Sequence, residues 1–339
     1  MIHTTSIHDF VSPLFTVPVL DVRTPAEFAH GHIPGAVNLP LFTDEERVQV
    51  GTTYKQVGRE AAILLGFDLA GSKWSGFIRQ ALVFAPDKKV ALHCWRGGMR
   101  SGAMAWALDM YGFEVFLLTG GYKKYRGWIH RQFEKNRAMR ILGGKTGSGK
   151  TRVLHQLQQL GQQVVDLEDL AQHQGSAFGS MGRMLQPTQE QFENNLGIKL
   201  AALDAGTPVW VEDESIAIGK RFIPAAFWKQ MTGSMLLDLQ LPREIRIKNL
   251  VDEYGSLDKT FLADCTQKIW KRLGHERTRK AVEAINENRM EDFIAELLVY
   301  YDKTYTTSVA SRPEQLIRTM EPAATDPASI ARQILSMDL

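Results

Sequence analysis

Two hydrophobic patterns recur along this chain: short unbroken apolar runs, and longer stretches in which apolar residues return every three or four positions. The runs VPVLDV (17–22) and KVAL (89–92) predict buried strands, and SGAMAWALDMY (101–111) has the spacing of a helix. Strand, loop and helix in succession predict a parallel α/β sheet. A second unit of this kind starts at MRIL (139–142), crosses a glycine-rich loop and continues as KTRVLHQLQQL, with Val153, Leu154, Leu157 and Leu160 on one face and Gly161 as the C-cap. QVVDLED (163–169) and PVWVEDES (208–215) read as further buried strands ending in acids, and from about Arg243 the chain reads mainly as helices.

Between the two units, Gly120 to Arg140 turns basic and aromatic, which fits a linking helix. The pattern therefore predicts domains at 1–120 and 139–339, joined by a linker helix over 121–138. A length of 339 residues agrees with about two domains. With 40 Lys and Arg against 38 Asp and Glu, the net charge of +2 names no partner, so any nucleic-acid contact has to be local. Two cysteines, Cys94 and Cys265, are too few for a disulfide framework or a multi-thiolate zinc site. The N-terminus lacks a charged region followed by an apolar core, and no run reaches the roughly 18 apolar residues of a membrane span. The expectation is a cytoplasmic chain without membrane contact.

Two segments carry chemistry. The first is a P-loop: Gly144, Lys145, Thr146, Gly147, Ser148, Gly149, Lys150 and Thr151, placed directly after a predicted strand and opening a helix. Converging backbone N–H groups, the helix N-terminus and the Lys150 cation suit a phosphorylated ligand, and Thr151 can reach Mg²⁺. Asp166, Glu212 and Asp213, at the predicted strand ends, are the acids that can hold that ion, although such acids also cap helices. No firm metal site follows, and nothing in the sequence calls for haem, flavin or zinc.

The second segment is HCWRGGMRS (93–101), between the KVAL strand and an amphipathic helix. Cys94 would sit in a loop of Trp95, Arg96, Gly97, Gly98, Met99, Arg100 and Ser101, beside a helix N-terminus and two arginines, surroundings that lower a thiol pKa and make a thiolate nucleophile. His93 can tune that thiolate, bind substrate or be a satisfied histidine at a strand end. Cys265, in LADCTQKIW, reads as a packing residue.

DVRTPAEFAHGHIPGAVNLP (21–40) resembles the N-terminal signature of rhodanese domains, and HCWRGGMRS resembles their active-site loop. The usual sulfurtransferase loop has four residues between Cys and Arg; Cys94 and Arg100 are separated by five, which is similar to the phosphatases built on the same fold and fits a phosphate-bearing chalcogen donor. Rhodanese-like and P-loop halves on one chain, with DLEDLAQHQGSAFG (166–179) and YYDKTY near the C-terminus, closely resemble the tRNA 2-selenouridine synthase family. The resemblance spans nearly the whole chain. It implies a rhodanese-like parallel-sheet domain followed by a P-loop NTPase-like α/β domain with a helical C-terminal portion.

The resemblance also implies an activity: geranylation of the sulfur of wobble 2-thiouridine in tRNA by geranyl diphosphate, then replacement of that sulfur by selenium from selenophosphate. The P-loop would hold the diphosphate. Cys94, Arg96 and Arg100 would serve selenium, either through a perselenide on Cys94 or by binding the donor's phosphate during direct transfer. The enzyme that makes selenophosphate is then a candidate partner. For tRNA contact the candidates are Lys123, Lys124, Tyr125, Arg126, Trp128 and Arg131, together with Tyr122 for base stacking, and a second cluster with Lys271, Arg272, Arg277 and Arg279. Phe178, Met181, Met184 and Leu185 are expected to pack in the core rather than face a terpenoid. The competing readings are a sulfurtransferase or phosphatase with an NTP-binding regulatory domain, and a phosphate-sensing RNA-binding protein with Cys94 as a redox sensor.

Overall fold

The computed structural model describes residues 1–175, 178–180 and 185–338. It comprises two compact units, Met1–Gln132 with Glu193–Ile198, and Phe133–Phe192 with Lys199–Leu339.

In the first unit β1 (Ile2–Thr5), β2 (Val19–Asp21), β3 (Val37–Asn38), β4 (Lys89–His93) and β5 (Glu114–Leu118) form a sheet in the order β1-β5-β4-β2-β3, parallel at every pairing. Val90, Ala91, Leu92 and His93 of the central β4 are all buried, as a strand covered on both faces requires. The helix after β4 runs Met99–Met110, two residues ahead of the sequence expectation, and buries Met104, Ala105 and Leu108 against Leu20, Leu92 and Val115. Residues 41–88 hold three helices, Asp44–Gln56, Arg59–Ala70 and Trp74–Phe84, to which the sequence pattern assigns no element. For the first two the physical reason is weak amphipathicity, since the first buries no residue and the second only Ala62 and Ala70; the third is amphipathic, with Phe77 and Ala81 buried on one face, and that reason does not apply to it.

In the second unit β6 (Met139–Gly144), β7 (Gln163–Val165), β8 (Val209–Glu212), β11 (Met235–Leu239) and β12 (Ile317–Met320) lie in the order β12-β11-β6-β8-β7, again all parallel, while β9 (Ala217–Ile218) and β10 (Arg221–Phe222) make a small antiparallel pair. The helix after β6, Lys150–Gln159, buries Val153, Leu154 and Leu157 against Ile330, Ala331 and Ile334 of the helix Pro327–Leu335. Leu160, expected on that face, is 44% exposed at the helix end.

Two boundaries differ from the sequence pattern. The run 163–169 is strand only as far as Val165, because the Asp166 carboxylate accepts the Asp169 N–H at 2.8 Å and caps a short helix, Leu167–Ala171. The C-terminal portion is helical from Arg243 to Ala310 around Leu250, Leu262, Ile285, Phe293 and Leu298, but Ile317–Met320 then returns to the sheet as an edge strand on β11.

Candidate active sites

The loop that leaves the carboxyl end of β4 curls around a buried sulfur, the usual place for a ligand site in an open parallel sheet. The Gly98 N–H points at Cys94 Sγ from 3.3 Å and the Ser101 hydroxyl from 3.2 Å. Burial pushes the thiol up, but the Ser101 hydroxyl and the amides of Ser101, Arg96 and Gly98 outweigh it, so the Cys94 pKa lies below that of an ordinary thiol. The loop is clamped from behind, where the Tyr122 and Lys123 N–H groups donate to the Cys94 and Trp95 carbonyls at 2.9 Å. This approach leaves no room at Gly121: a Cβ there would stand 2.3 Å from the Cys94 carbonyl oxygen and 2.5 Å from the Gly97 nitrogen.

The signature DVRTPAEF builds the floor of this loop. Asp21 and Arg23, both fully buried, pair through Nε at 3.0 Å and Nη2 at 2.5 Å, and the Arg23 guanidinium stacks 3.8 Å over the Tyr122 ring. Thr24 caps the helix Pro25–His30 in a capping box with Glu27. Glu27 then receives Arg100 in a bidentate pair at 2.5 and 3.2 Å. Burial alone would weaken the Arg100 charge, but Glu27 and the nearby Cys94 sulfur reinforce it. One of the two readings that the resemblance leaves open has Arg96 and Arg100 together bind the donor's phosphate; in the structure Arg100 pairs with Glu27, while Arg96 is exposed and makes no ion pair among the described residues. His93 is not a satisfied histidine. It lies in the core with neither ring nitrogen hydrogen-bonded among the described residues and Nδ1 3.7 Å from Asp21, and burial lowers its pKa. Cys265 is buried and its thiol is pushed up, as a packing residue's would be.

The second site opens at the carboxyl end of β6. Gly147 adopts φ +84°, and a Cβ there would stand 2.7 Å from the Arg246 carbonyl oxygen. Lys150 donates to the Gly144 carbonyl at 3.0 Å. The loop is held by residues far away in sequence: Arg246 donates to the Thr146 carbonyl at 3.1 Å and pairs with Asp302 at 2.7 and 2.8 Å, and Asn249 donates to the Gly147 carbonyl at 2.8 Å. Tyr305 donates to Asp238 at 2.7 Å. YYDKTY thus supplies the Asp302 and Tyr305 braces, and Tyr301 and Tyr305 line a cavity of about 390 Å³ above the loop.

Of the three acids expected beside this loop, one remains. Asp166 caps its helix and meets His155 at 2.8 Å, and Asp213 pairs with Arg312 at 2.7 Å. Glu212, fully buried at the end of β8, instead converges with Glu168 and Glu214, their oxygens all within 4.8 Å of one another. Burial first, and then repulsion by a neighbouring carboxylate, Glu212 for both Glu168 and Glu214 and Asp166 for Glu212, holds all three above the ordinary carboxylate range. Both Glu212 oxygens lack a hydrogen-bond donor among the described residues, and Thr151 reaches Glu168 at 3.3 Å. An all-oxygen set with an orphaned carboxylate fits a hard divalent cation such as Mg²⁺. Glu168 and Glu214 lie 44 and 2 residues from Glu212, with no spacing that marks them as a set.

The basic segments also change. Tyr122, Tyr125 and Trp128 are buried in the helix Gly121–Glu134, so their rings are not available to stack on bases; the 3.6-residue period that spaces them is that of a core face. Arg126 is drawn to Glu193 and Asn194, leaving Lys123, Lys124 and Arg131 exposed. In the second cluster Arg277 and Arg279 pair with Glu296 and Glu283, while Lys271 and Arg272 have no acidic partner among the described residues. Phe178 is buried in the C-terminal core as expected, Leu185 is 89% exposed, and Met181 and Met184 lie outside the described residues.

The profile of the tRNA 2-selenouridine synthase AAA domain matches residues 137–328, and that of the rhodanese-like domain residues 7–127. A tRNA 2-selenouridine synthase of Marinobacter nauticus is 36% identical over 342 residues, 89% of this chain and 90% of that relative. The chain belongs to the tRNA 2-selenouridine synthase family. The synthase of Shewanella loihica is likewise 36% identical, over 88% of this chain and 89% of its own length. That of Nitrosomonas europaea is 42% identical over 245 residues, 70% of this chain, and the match spans 63% of that relative, less than two thirds. Within the family, the rhodanese-like half carries the Cys94 loop and the AAA half the P-loop. No helix among the described residues is long and apolar enough to cross a membrane.

Proposed function

We propose that this chain makes 2-selenouridine in tRNA, first alkylating the sulfur of wobble 2-thiouridine with geranyl diphosphate and then exchanging that sulfur for selenium from selenophosphate. One observation carries the reading: a member of this family holds a thiolate cradle at β4 and a phosphate cradle at β6 on a single chain.

In the first step the thiocarbonyl sulfur bonds to the geranyl C1 as the C1–O bond breaks and its electron pair leaves with diphosphate. The P-loop amides and Lys150 receive that developing charge. A magnesium ion held by Glu168, Glu212 and Glu214 would neutralise more of it. In the second step selenium bonds to C2 of the uracil, the C2–S bond breaks and geranyl thiol departs, while the phosphoryl group of the donor passes to water. Arg96 and the loop amides hold the donor's phosphate, and selenium delivery depends on the Cys94 thiolate. Lys123, Lys124, Arg131, Lys271 and Arg272 offer contacts to tRNA phosphates. The setting is the cytoplasm, with the selenophosphate-producing enzyme as the supplier.

The test is mass spectrometry of nucleosides from 2-thiouridine-containing tRNA incubated with the protein and geranyl diphosphate, selenophosphate, or both. The S-geranyl nucleoside is expected with the first alone and 2-selenouridine once both are present. Unchanged 2-thiouridine in a tRNA-binding preparation would overturn the proposal and favour a phosphatase or sulfurtransferase.

A further inference from the structure

We propose that an apolar pocket in the first unit, beside the Cys94 loop, receives the hydrocarbon chain of the S-alkylated uridine while its sulfur is exchanged; this rests on the two-step reading above. The pocket lies between the helices Asp44–Gln56 and Arg59–Ala70 and the start of Met99–Met110. Its walls are apolar, with Leu41, Phe42, Ala62, Phe67, Trp74 and Met99 among them, and it encloses about 160 Å³. An apolar cavity of roughly 150 Å³ stays dry and takes up small hydrocarbons. A largely apolar pocket with few charged groups at its edge is also the usual form of a small-molecule site.

Three features assign it to an alkyl chain attached to a reacting group. Met99 and Arg100, which line it, follow Cys94 by five and six residues on the loop that curls around the sulfur. A chain lying in the pocket therefore lies against the loop that holds the thiolate. Phe67 and Met99 are 55% and 54% exposed, so the pocket opens to solvent through apolar side chains that a hydrocarbon would cover. The helix Asp44–Gln56 buries none of its residues fully; Val50 packs against the core, but Tyr54, which also lines the pocket, is exposed, so core packing does not account for its place there. The chemistry requires such a place. The geranyl group leaves as part of a thiol when C2–S breaks, and its chain is otherwise in water at the moment of exchange. Holding it fixes the leaving sulfur and orients one face of the ring at C2 toward selenium, which adds there before the C2–S bond breaks.

Gly66 allows a direct test. It lies on the helix Arg59–Ala70 and lines the pocket, and a Cβ placed there makes only an ordinary contact, 3.4 Å from the Phe42 ring. Gly66→Leu fills the pocket while replacing a poor helix former with a good one, so the variant is expected to fold. Ligand-observed NMR with the full chain would compare the nucleosides S-geranyl-2-thiouridine and S-methyl-2-thiouridine. The wild type should bind the geranyl nucleoside about tenfold or more tightly than the methyl one, and Gly66→Leu should lose that preference. Selenation of tRNA carrying either S-alkyl group should show the same change, as a fall in the geranyl-to-methyl ratio of kcat/KM. Equal binding of the two nucleosides by the wild type, or an unchanged preference in Gly66→Leu, would overturn the pocket assignment. Preferential geranyl binding without any turnover would leave the pocket standing and sink the proposed reaction instead.

Discussion

Replacing Ser101 by Ala removes the side-chain hydroxyl that aims a hydrogen at the Cys94 sulfur from 3.2 Å and leaves the loop amides, Gly98 at 3.3 Å among them, in place. A hydrogen bond to a charged group contributes about 1.5–3 kcal/mol, and a buried site gives no water to replace it. The Ser101 hydroxyl is shared with the Gly98 carbonyl, also at 3.2 Å, so the lower end of that range applies. At about 1.4 kcal/mol per pKa unit, the thiol pKa should rise by about one unit. The assay is the pH dependence of iodoacetamide alkylation in a Cys265→Ala background. Its midpoint is the quantity to read, because intrinsic nucleophilicity rises with pKa and partly offsets the loss of thiolate in the rate. The same bond carries a stability consequence. A thiol whose folded pKa lies below its unfolded value adds stability that is complete above the unfolded pKa and is lost as pH falls through the folded one, and Ser101→Ala should narrow that window. A midpoint that stays in place or moves down would refute the description of Ser101 as a thiolate donor.

Asp21→Asn should destabilise the first unit by about 3–5 kcal/mol in urea denaturation, because it leaves the fully buried Arg23 charge without its partner. Gly121→Ala should displace the Cys94 loop and return alkylation of Cys94 to an ordinary thiol midpoint, since the added methyl collides with two backbone atoms of the loop. Mg²⁺ binding at Glu168, Glu212 and Glu214 should release protons and tighten as pH rises, because burial and repulsion keep these carboxyls partly protonated; calorimetry in buffers of different ionisation enthalpy reads the proton count, and a count of zero contradicts the site.

What could be read from the sequence was local. The P-loop and the Cys94 loop are contiguous segments in which glycines, cations and the nucleophile follow one another, and both proved to lie at carboxyl ends of central parallel strands. What could not be read comes from the tertiary fold. Arg246 and Asn249 stand about a hundred residues from the loop carbonyls they hold, and Asp302, which holds Arg246, stands farther still, so no spacing links them to the loop. The acids illustrate the same limit: Asp166 and Asp213 sit at strand ends like a metal ligand but are taken by a helix cap and an arginine. Tyr125 and Trp128 looked like a stacking platform because aromatics and cations alternate there, and the same helical period buries the rings and exposes Lys123 and Lys124. Edge strands such as IHTT and IRTM alternate too little to announce themselves.

The central claim is that one chain carries two separable steps, alkylation at the P-loop and exchange at Cys94. The most direct measurement gives Lys150→Ala and Cys94→Ala, in parallel, either 2-thiouridine tRNA with both co-substrates or tRNA already S-geranylated with selenophosphate alone, and quantifies the nucleosides by mass spectrometry. Lys150→Ala should form no S-geranyl product yet convert the geranylated tRNA to 2-selenouridine, while Cys94→Ala should geranylate and then stop. Failure of Lys150→Ala on the geranylated tRNA, or loss of geranylation in Cys94→Ala, would contradict the division between the two sites.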